Sequence, residues 1–241
     1  MNPTRPSDQP NPAPAGPTGQ KAVARTLLFG GTFDPPHRAH MAMALRSREA
    51  WEREANAPVR ILIVPAARSP HKDDAPRASD DERLAMLALA WKDALHATIW
   101  PGELERARVT SGPSYTIDTV RELAAPGSEL ALLIGSDQAG AFHRWREARE
   151  LFARARPWVV PRGEVRDRAA LRRALEAANF WTREELDLWP ARWVDAPIDP
   201  ASSTLVRAEL AKREPDRALL ESLLGAKVSQ FILTRGLYRA R

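Results

Sequence analysis

The stretch Gly30-Gly31-Thr32-Phe33-Asp34-Pro35-Pro36-His37-Arg38-Ala39-His40 decides how this chain is read. It follows the apolar run Arg25-Thr26-Leu27-Leu28-Phe29, which reads as a short buried strand, and precedes Met41-Ala42-Met43-Ala44-Leu45, which reads as a helix. A strand, a glycine turn and a helix N-terminus form a site for anions. Glycine lets the backbone come close to a ligand, and unpaired helix amides with the macrodipole favour negative charge. With the helix beginning near Pro36, His37 and His40 stand three residues apart on its first exposed face. Thr32 adds a hydroxyl beside the glycines, and the whole segment suits phosphate.

Two other readings of the histidines stay open at this point. Asp34, His37 and His40 are candidate metal ligands, although no further His or Cys cluster completes such a site. The pair can also be structural. A second segment, Ser202-Ser203-Thr204-Leu205-Val206-Arg207, reads either as a plain helix cap with a surface arginine or as a polyphosphate grip of hydroxyls, amides and guanidinium.

Composition narrows the classes. The chain has 241 residues, 44% of them hydrophobic, which suits one α/β domain and a tail. With no cysteine, disulfides, zinc-thiolate sites and thiol nucleophiles are excluded. No apolar run approaches the ~18 residues of a membrane span, and the N-terminus has no signal-peptide core, so the cytoplasm is the expected location. Lys plus Arg outnumber Asp plus Glu by 36 to 31, a net charge of +5. These charges are interspersed, without a dense basic tract, so the excess favours an anionic small substrate as readily as nucleic acid.

Residues 1–21 carry six prolines and no apolar periodicity, and are expected to be a disordered tail ahead of a single domain over 22–241. Strands are predicted at Val23 to Phe29, Val59 to Val64, Ala97 to Trp100, Glu129 to Ile134 and Trp158 to Val160, with a short last one at Trp193-Val194. Helices are predicted from Arg38 to about Glu54, from Ser79 to about Leu95 behind a capping box, and from Thr116 through Leu123. Others are predicted from Phe142 to Ala155, Asp167 to Ala178, Ser203 to Leu210 and Val228 to Thr234. Residues 179–192, with Trp181 and Trp189, show no clear period. Strands alternating with helices imply an α/β, doubly wound parallel sheet with a small C-terminal helical part. Ligands on such sheets lie outside the strand carboxyl ends, where the Gly30, Ser69-Pro70-His71-Lys72 and Gly135-Ser136-Asp137 segments can meet.

The opening segment resembles the signature G-G-S/T-F-D-P-x-H-x-G-H of the nucleotidyltransferase superfamily, with Ala39 in place of its second-last glycine. Ser202 to Arg207 resembles that superfamily's S-S-T-x-I/V-R motif. Ser69-Pro70-His71-Lys72 resembles the P-P-H-K segment of bacterial nicotinate-nucleotide adenylyltransferases. Pro113-Ser114-Tyr115-Thr116, followed by Asp118-Thr119, resembles their S-Y-T-x-x-T segment. Ile134-Gly135-Ser136-Asp137, then Phe142 and Trp145, resembles their I-G-x-D and F-x-x-W pattern. After Val159-Val160 the family commonly has R-P-G, where this chain reads Pro161-Arg162-Gly163. The resemblance spans about residues 25 to 240, with 179–197 poorly matched.

The resemblance implies a Rossmann-like nucleotidyltransferase fold and transfer of the adenylyl group of ATP to nicotinate mononucleotide. It implies catalytic roles for His37, His40, Lys72 and Arg207. It implies ATP contacts from Gly30, Gly31, Phe33, Asp137, Ser202, Ser203 and Thr204, with Mg²⁺ carried mainly on the phosphates. The acceptor would meet Thr32, His71, Ser114, Tyr115 and Thr116, with Trp145 stacked on its pyridine ring. Another acceptor within the superfamily, and a non-catalytic nucleotide sensor, are the alternatives. Neither nucleic acid nor membrane is an expected partner, and oligomerisation is open.

Overall fold

A computed structural model describes residues 23–67, 75–110 and 113–239. The tail 1–21 and the segment Ser69 to Lys72 therefore lie outside the described residues. Five parallel strands form one sheet in the order β3-β2-β1-β4-β5, comprising β1 (Ala24–Gly31), β2 (Val59–Pro65), β3 (Ala97–Ile99), β4 (Ser128–Gly135) and β5 (Pro157–Val160). The chain builds outward from β1 to β3, then returns to the other side of β1 with β4. The switch point thus lies between β1 and β4, where a doubly wound sheet opens a crevice at its carboxyl edge.

Strand alternation sorts the core into two layers. Leu27, Phe29, Ile61, Ile63, Ala131 and Leu133 face one way, against Trp51 of α1 (Arg38–Ala55) and Trp91. Leu28, Leu130, Leu132 and Ile134 face the other way, against Ile117 and Val120 of α4 (Thr116–Leu123) and against α6 (Ala148–Arg154). A third cluster joins α2 (Asp80–Ala90) to the C-terminal helices α9 (Ser203–Leu210), α10 (Arg217–Leu224) and α11 (Ala226–Arg235). Ala39 belongs to this third cluster, 5% exposed, together with Ala78, Ala201 and Val206.

Side-chain caps set several helix starts. Ser79 and Glu82 form the expected capping box at α2, Glu82 accepting from the Ser79 amide at 2.8 Å. Asp167 caps α7 (Arg168–Ala177) by accepting from the Ala170 amide at 2.7 Å. Ser202 caps α9 by accepting from the Leu205 amide at 3.1 Å.

Several boundaries differ from the sequence reading. The second helix stops at Ala90, not Leu95, because Trp91 turns in to bury its indole beneath the sheet. The helix expected from Phe142 to Ala155 is a 3₁₀ turn at Phe142–Arg144 and then α6, separated by Glu147 at φ +52°. Trp193-Val194 makes only an isolated parallel bridge to Val159, not a strand. Four helices went unpredicted: α3 (Gly102–Val109), the short α5 (Ser136–Gly140), α8 (Arg183–Ala191) and α10. Pro101-Gly102 reads as a breaker but stands at the start of α3. There Glu103 and Glu105 fill the first turn, and Arg106 and Arg108 the last, as the macrodipole favours. The short helix α5 (Ser136–Gly140) follows β4 directly.

The tryptophans of the unplaced segment are core residues. Trp181 and Trp189 pack with Phe142 and Phe152 at centroid separations of 4.9–6.1 Å, and Trp189 is 1% exposed. They support the 3₁₀ turn from beneath. Four interlocking aromatic rings are each worth about 0.5–1.5 kcal/mol per pair beyond their burial. Their spacing follows a cluster drawn from three elements and leaves no helical period in the sequence.

Candidate active site

A cleft of about 780 Å³ opens at the carboxyl edge of the sheet, bordered by the ends of β1, β2, β4 and β5. It brings the two phosphate-type segments together. The Arg207 guanidinium donates to the Asp34 carbonyl at 2.6 Å, and the Ser203 hydroxyl donates to the Pro35 carbonyl at 2.9 Å. Two stretches about 170 residues apart thus share one rim. Ser202 and Thr204 complete that side, Thr204 Oγ1 accepting from Arg207 at 3.4 Å. Across the cleft stand Ser114, Tyr115 and Thr116 at the start of α4, Asp137 after β4, and Trp145.

The glycine pair works differently from the turn expected. β1 continues through both glycines, pairing Gly30 with Val64 and Gly31 with Pro65, and neither has a positive φ. The chain turns at Phe33, φ +50°. A Cβ at Gly31 would meet the Phe33 ring at 2.9 Å, whereas one at Gly30 would meet nothing within 4 Å. Gly31 is thus needed for packing, and Gly30 leaves open space beside the cleft. Phe33 was expected at ATP, but its side chain is 2% exposed and packs at 5.3 Å from Phe29 and 5.0 Å from His40. It forms a floor under the histidine, at the base of the cleft.

His37 is the N-cap of α1, which starts at Arg38 as predicted, so His37 stands just ahead of the first turn. The imidazoles nonetheless stack, with centroids 3.7 Å apart and planes at 30°. The His37 amide donates to His40 Nδ1 at 3.1 Å, which puts the proton of a neutral His40 ring on Nε2. Burial, then the charge of Arg162, lowers the His37 pKa to about 4 against an opposing effect from Asp199. At neutral pH His37 is therefore an uncharged ring that can donate a hydrogen bond. This pKa lies below that of an unfolded histidine, so the unfolded chain binds the extra proton between about pH 6.5 and 4. Stability from His37 is full above the upper limit and is lost as pH falls through that window, by up to about 3 kcal/mol. The thermal midpoint of the parent is expected to fall more steeply from pH 6.5 to 4 than that of His37→Gln. Parallel curves would contradict the assignment.

Asp34 is not available as a metal ligand. Its buried carboxylate accepts from the amides of Arg77 at 2.8 Å and Ala78 at 3.1 Å, and from the Tyr238 hydroxyl at 2.7 Å. Burial and this carboxylate push the Tyr238 hydroxyl far above its ordinary range, so it remains a donor. No cluster of three potential metal-binding side chains occurs among the described residues.

The sequence reading missed four residues that shape the cleft. Arg83 is fully buried in α2, and its guanidinium donates to the carbonyls of Thr32 and Ala66, both at 2.8 Å, and to Asp80 at 2.6 Å. It ties the exits of β1 and β2 together. Glu103 lines the cleft and accepts from the Thr119 hydroxyl at 2.8 Å, and burial raises its pKa. Arg146 and Arg162 also line it, Arg162 lying 3.7 Å from Asp137. Arg162 left a trace in the sequence, in Pro161-Arg162-Gly163 where the family commonly has R-P-G, and Arg83 lay within a predicted helix among leucines. With Arg77 and Arg207, four arginines line the cleft against the carboxyl groups of Asp34, Glu103 and Asp137. The balance suits a polyanion.

A model of the cytidylyltransferase-like family matches residues 28–209, which include both phosphate-type segments. The chain belongs to this family. Among curated proteins it is similar to a probable nicotinate-nucleotide adenylyltransferase of Stenotrophomonas maltophilia, 37% identical over 89% of this chain and 96% of the relative. A protein of the same description from Chromobacterium violaceum is 35% identical over 90% of this chain and 99% of its own length. Among solved structures, a nicotinic acid mononucleotide adenylyltransferase of Plasmodium falciparum in complex with NaAD superposes with a TM-score of 0.62. That match covers 89% of this chain and 97% of the other at 19% identity, and it supports the cytidylyltransferase-like fold alone. The five-stranded order and the position of the cleft are thus those of a Rossmann-like nucleotidyltransferase.

Proposed function

We propose that this chain is a nicotinate-nucleotide adenylyltransferase, joining ATP and nicotinate mononucleotide into the dinucleotide with release of pyrophosphate in NAD biosynthesis. The observation that carries this reading is the shared rim, where Arg207 and Ser203 bond the backbone of the Asp34-Pro35 turn and set two phosphate segments on one cleft. The near full-length relatives of that description agree with it.

The mononucleotide phosphate attacks the α-phosphorus of ATP in line. A new P–O bond forms, the bond from the α-phosphorus to the bridging oxygen breaks, and pyrophosphate leaves with the electron pair. A phosphate monoester is ionised at neutral pH and needs no general base, so positioning and charge stabilisation carry the rate. His37 and His40 donate to the α-phosphate and the leaving pyrophosphate, and Arg207 holds the polyphosphate against α9. Lys72, outside the described residues, is proposed to add a positive charge. Asp137 accepts from a ribose hydroxyl. Mg²⁺ enters as part of the ATP substrate, which agrees with a donor set in which Asp34 is already occupied. The cytoplasm, as the source of ATP, is the proposed location, and no helix of the described residues is long and apolar enough to cross a membrane.

The test is pyrophosphate release from ATP with nicotinate and nicotinamide mononucleotides. Amides at the start of α4, around Thr116, favour a ring carboxylate, and the amide substrate leaves one donor unmet at about 1–3 kcal/mol. Nicotinate mononucleotide is therefore expected to have a kcat/KM about 10- to 100-fold higher. Equal values would remove the carboxylate from the recognition. No release with either would remove the activity.

A further inference from the structure

The break in the helix expected from Phe142 to Ala155 has a consequence for the acceptor end of the cleft. The 3₁₀ turn ends at Arg144, Trp145 is extended, and Glu147 takes a left-handed conformation before α6 begins. For a residue other than glycine that conformation is uncommon and costs about 1 kcal/mol, a strain that concentrates at functional sites. Its effect is to lift Trp145 and Arg146 out of helical register and onto the wall of the cleft. Trp145 stacks on Phe142 with centroids 4.8 Å apart and planes at 20°. The Arg146 guanidinium lies over the Tyr115 ring, its carbon 4.6 Å from the centroid. Tyr115 caps α4, so the arginine sits beside the same helix start that faces the acceptor.

The charge of Arg146 is poorly compensated. Its nearest carboxylate is Glu147, at 3.6 Å from Nε, and Glu147 is also bonded by Arg121. Arg146 is about half exposed, so the guanidinium has room to move from the tyrosine face to a ligand. A cation resting on an aromatic ring is attracted by only about 0.5–1 kcal/mol at an exposed site, less than a charge-assisted bond to a carboxylate supplies.

We infer that Arg146 is a specificity-determining residue, whose side-chain cation, held over Tyr115, selects an acceptor with an anionic ring substituent over one with a neutral substituent. This rests on the adenylyl-transfer reading above. The backbone amides of α4 supply short-range geometry, while Arg146 supplies a net charge that a neutral amide cannot exploit.

The test compares kcat/KM for nicotinate and nicotinamide mononucleotides in the parent, Arg146→Gln and Arg146→Lys, with ATP saturating. In Arg146→Gln the preference for nicotinate is expected to shrink about tenfold, through a raised KM for that acceptor. Arg146→Lys, which keeps the charge, should recover part of the preference. The KM of the parent for nicotinate mononucleotide should rise with salt more steeply than that of Arg146→Gln. An unchanged preference in Arg146→Gln, or equal losses for both acceptors, would overturn the inference while leaving the enzyme reading intact. A parent that uses neither acceptor would overturn both, and is recognised in the same assay.

Discussion

His40→Ala is expected to lower turnover by about 10²-fold or more with the fold retained, the scale of losing one preorganised donor to transition-state charge. The size of the effect follows from how firmly the ring is held. Nδ1 is occupied by the His37 amide at 3.1 Å, and the ring centroid lies 5.0 Å from that of Phe33, near edge-on, and 3.7 Å from that of His37. When neutral, the ring therefore has one tautomer, with its proton on Nε2, and it is held in place by these contacts. Neutral His37 adds no like charge when His40 meets a phosphate. The structural cost includes the capping contact, about 1 kcal/mol. Single-turnover pyrophosphate release, with circular dichroism as the control for folding, makes the measurement. A folded variant with turnover within a few-fold of the parent would take His40 out of the chemistry.

Asp34→Ala is expected to cost about 3–5 kcal/mol of stability, a fall of roughly 10 °C in thermal midpoint. The carboxylate is 6% exposed and joins three regions far apart in sequence: its own turn, the residues before α2 through Arg77 and Ala78, and the chain end through Tyr238. Its removal strands the buried amide of Ala78, the part-buried amide of Arg77 and a hydroxyl whose high pKa keeps its proton in place. The backbone of the same turn takes Arg207 and Ser203, so activity should fall with stability. Tyr238→Phe deletes one of the three bonds and should cost about 1 kcal/mol. The double variant should lose less than the sum, because the tyrosine contact is already gone once Asp34 is removed. Urea unfolding of the four proteins measures this coupling. A midpoint of Asp34→Ala within 2 °C of the parent would show that the carboxylate holds nothing together.

Local chemistry was legible in the sequence wherever one short segment carried the whole signal. Apolar runs located the five strands, and the caps at Ser79 and Ser202 located two helices, because side-chain capping reaches only two or three residues along the chain. Alternating strands and helices implied the parallel sheet. Gly30 to His40 and Ser202 to Arg207 marked the phosphate face, since such motifs are contiguous wherever they occur.

Long-range pairing was decided only by the tertiary structure. Asp34 offered itself as a metal ligand until Arg77, Ala78 and Tyr238 were found on its oxygens. Phe33 belonged to a ligand motif, yet a missing Cβ at Gly31 lets its ring pack inward beneath His40. Trp181 and Trp189 followed no period, because their partners come from the 3₁₀ turn and α6. Arg146 sat within an expected helix until the left-handed Glu147 turned it to Tyr115. Each of these outcomes depends on contacts between residues distant in sequence. Residue type and spacing carry the energies of local turns and caps, but the partner of a buried carboxylate or ring exists only once the chain has closed around it.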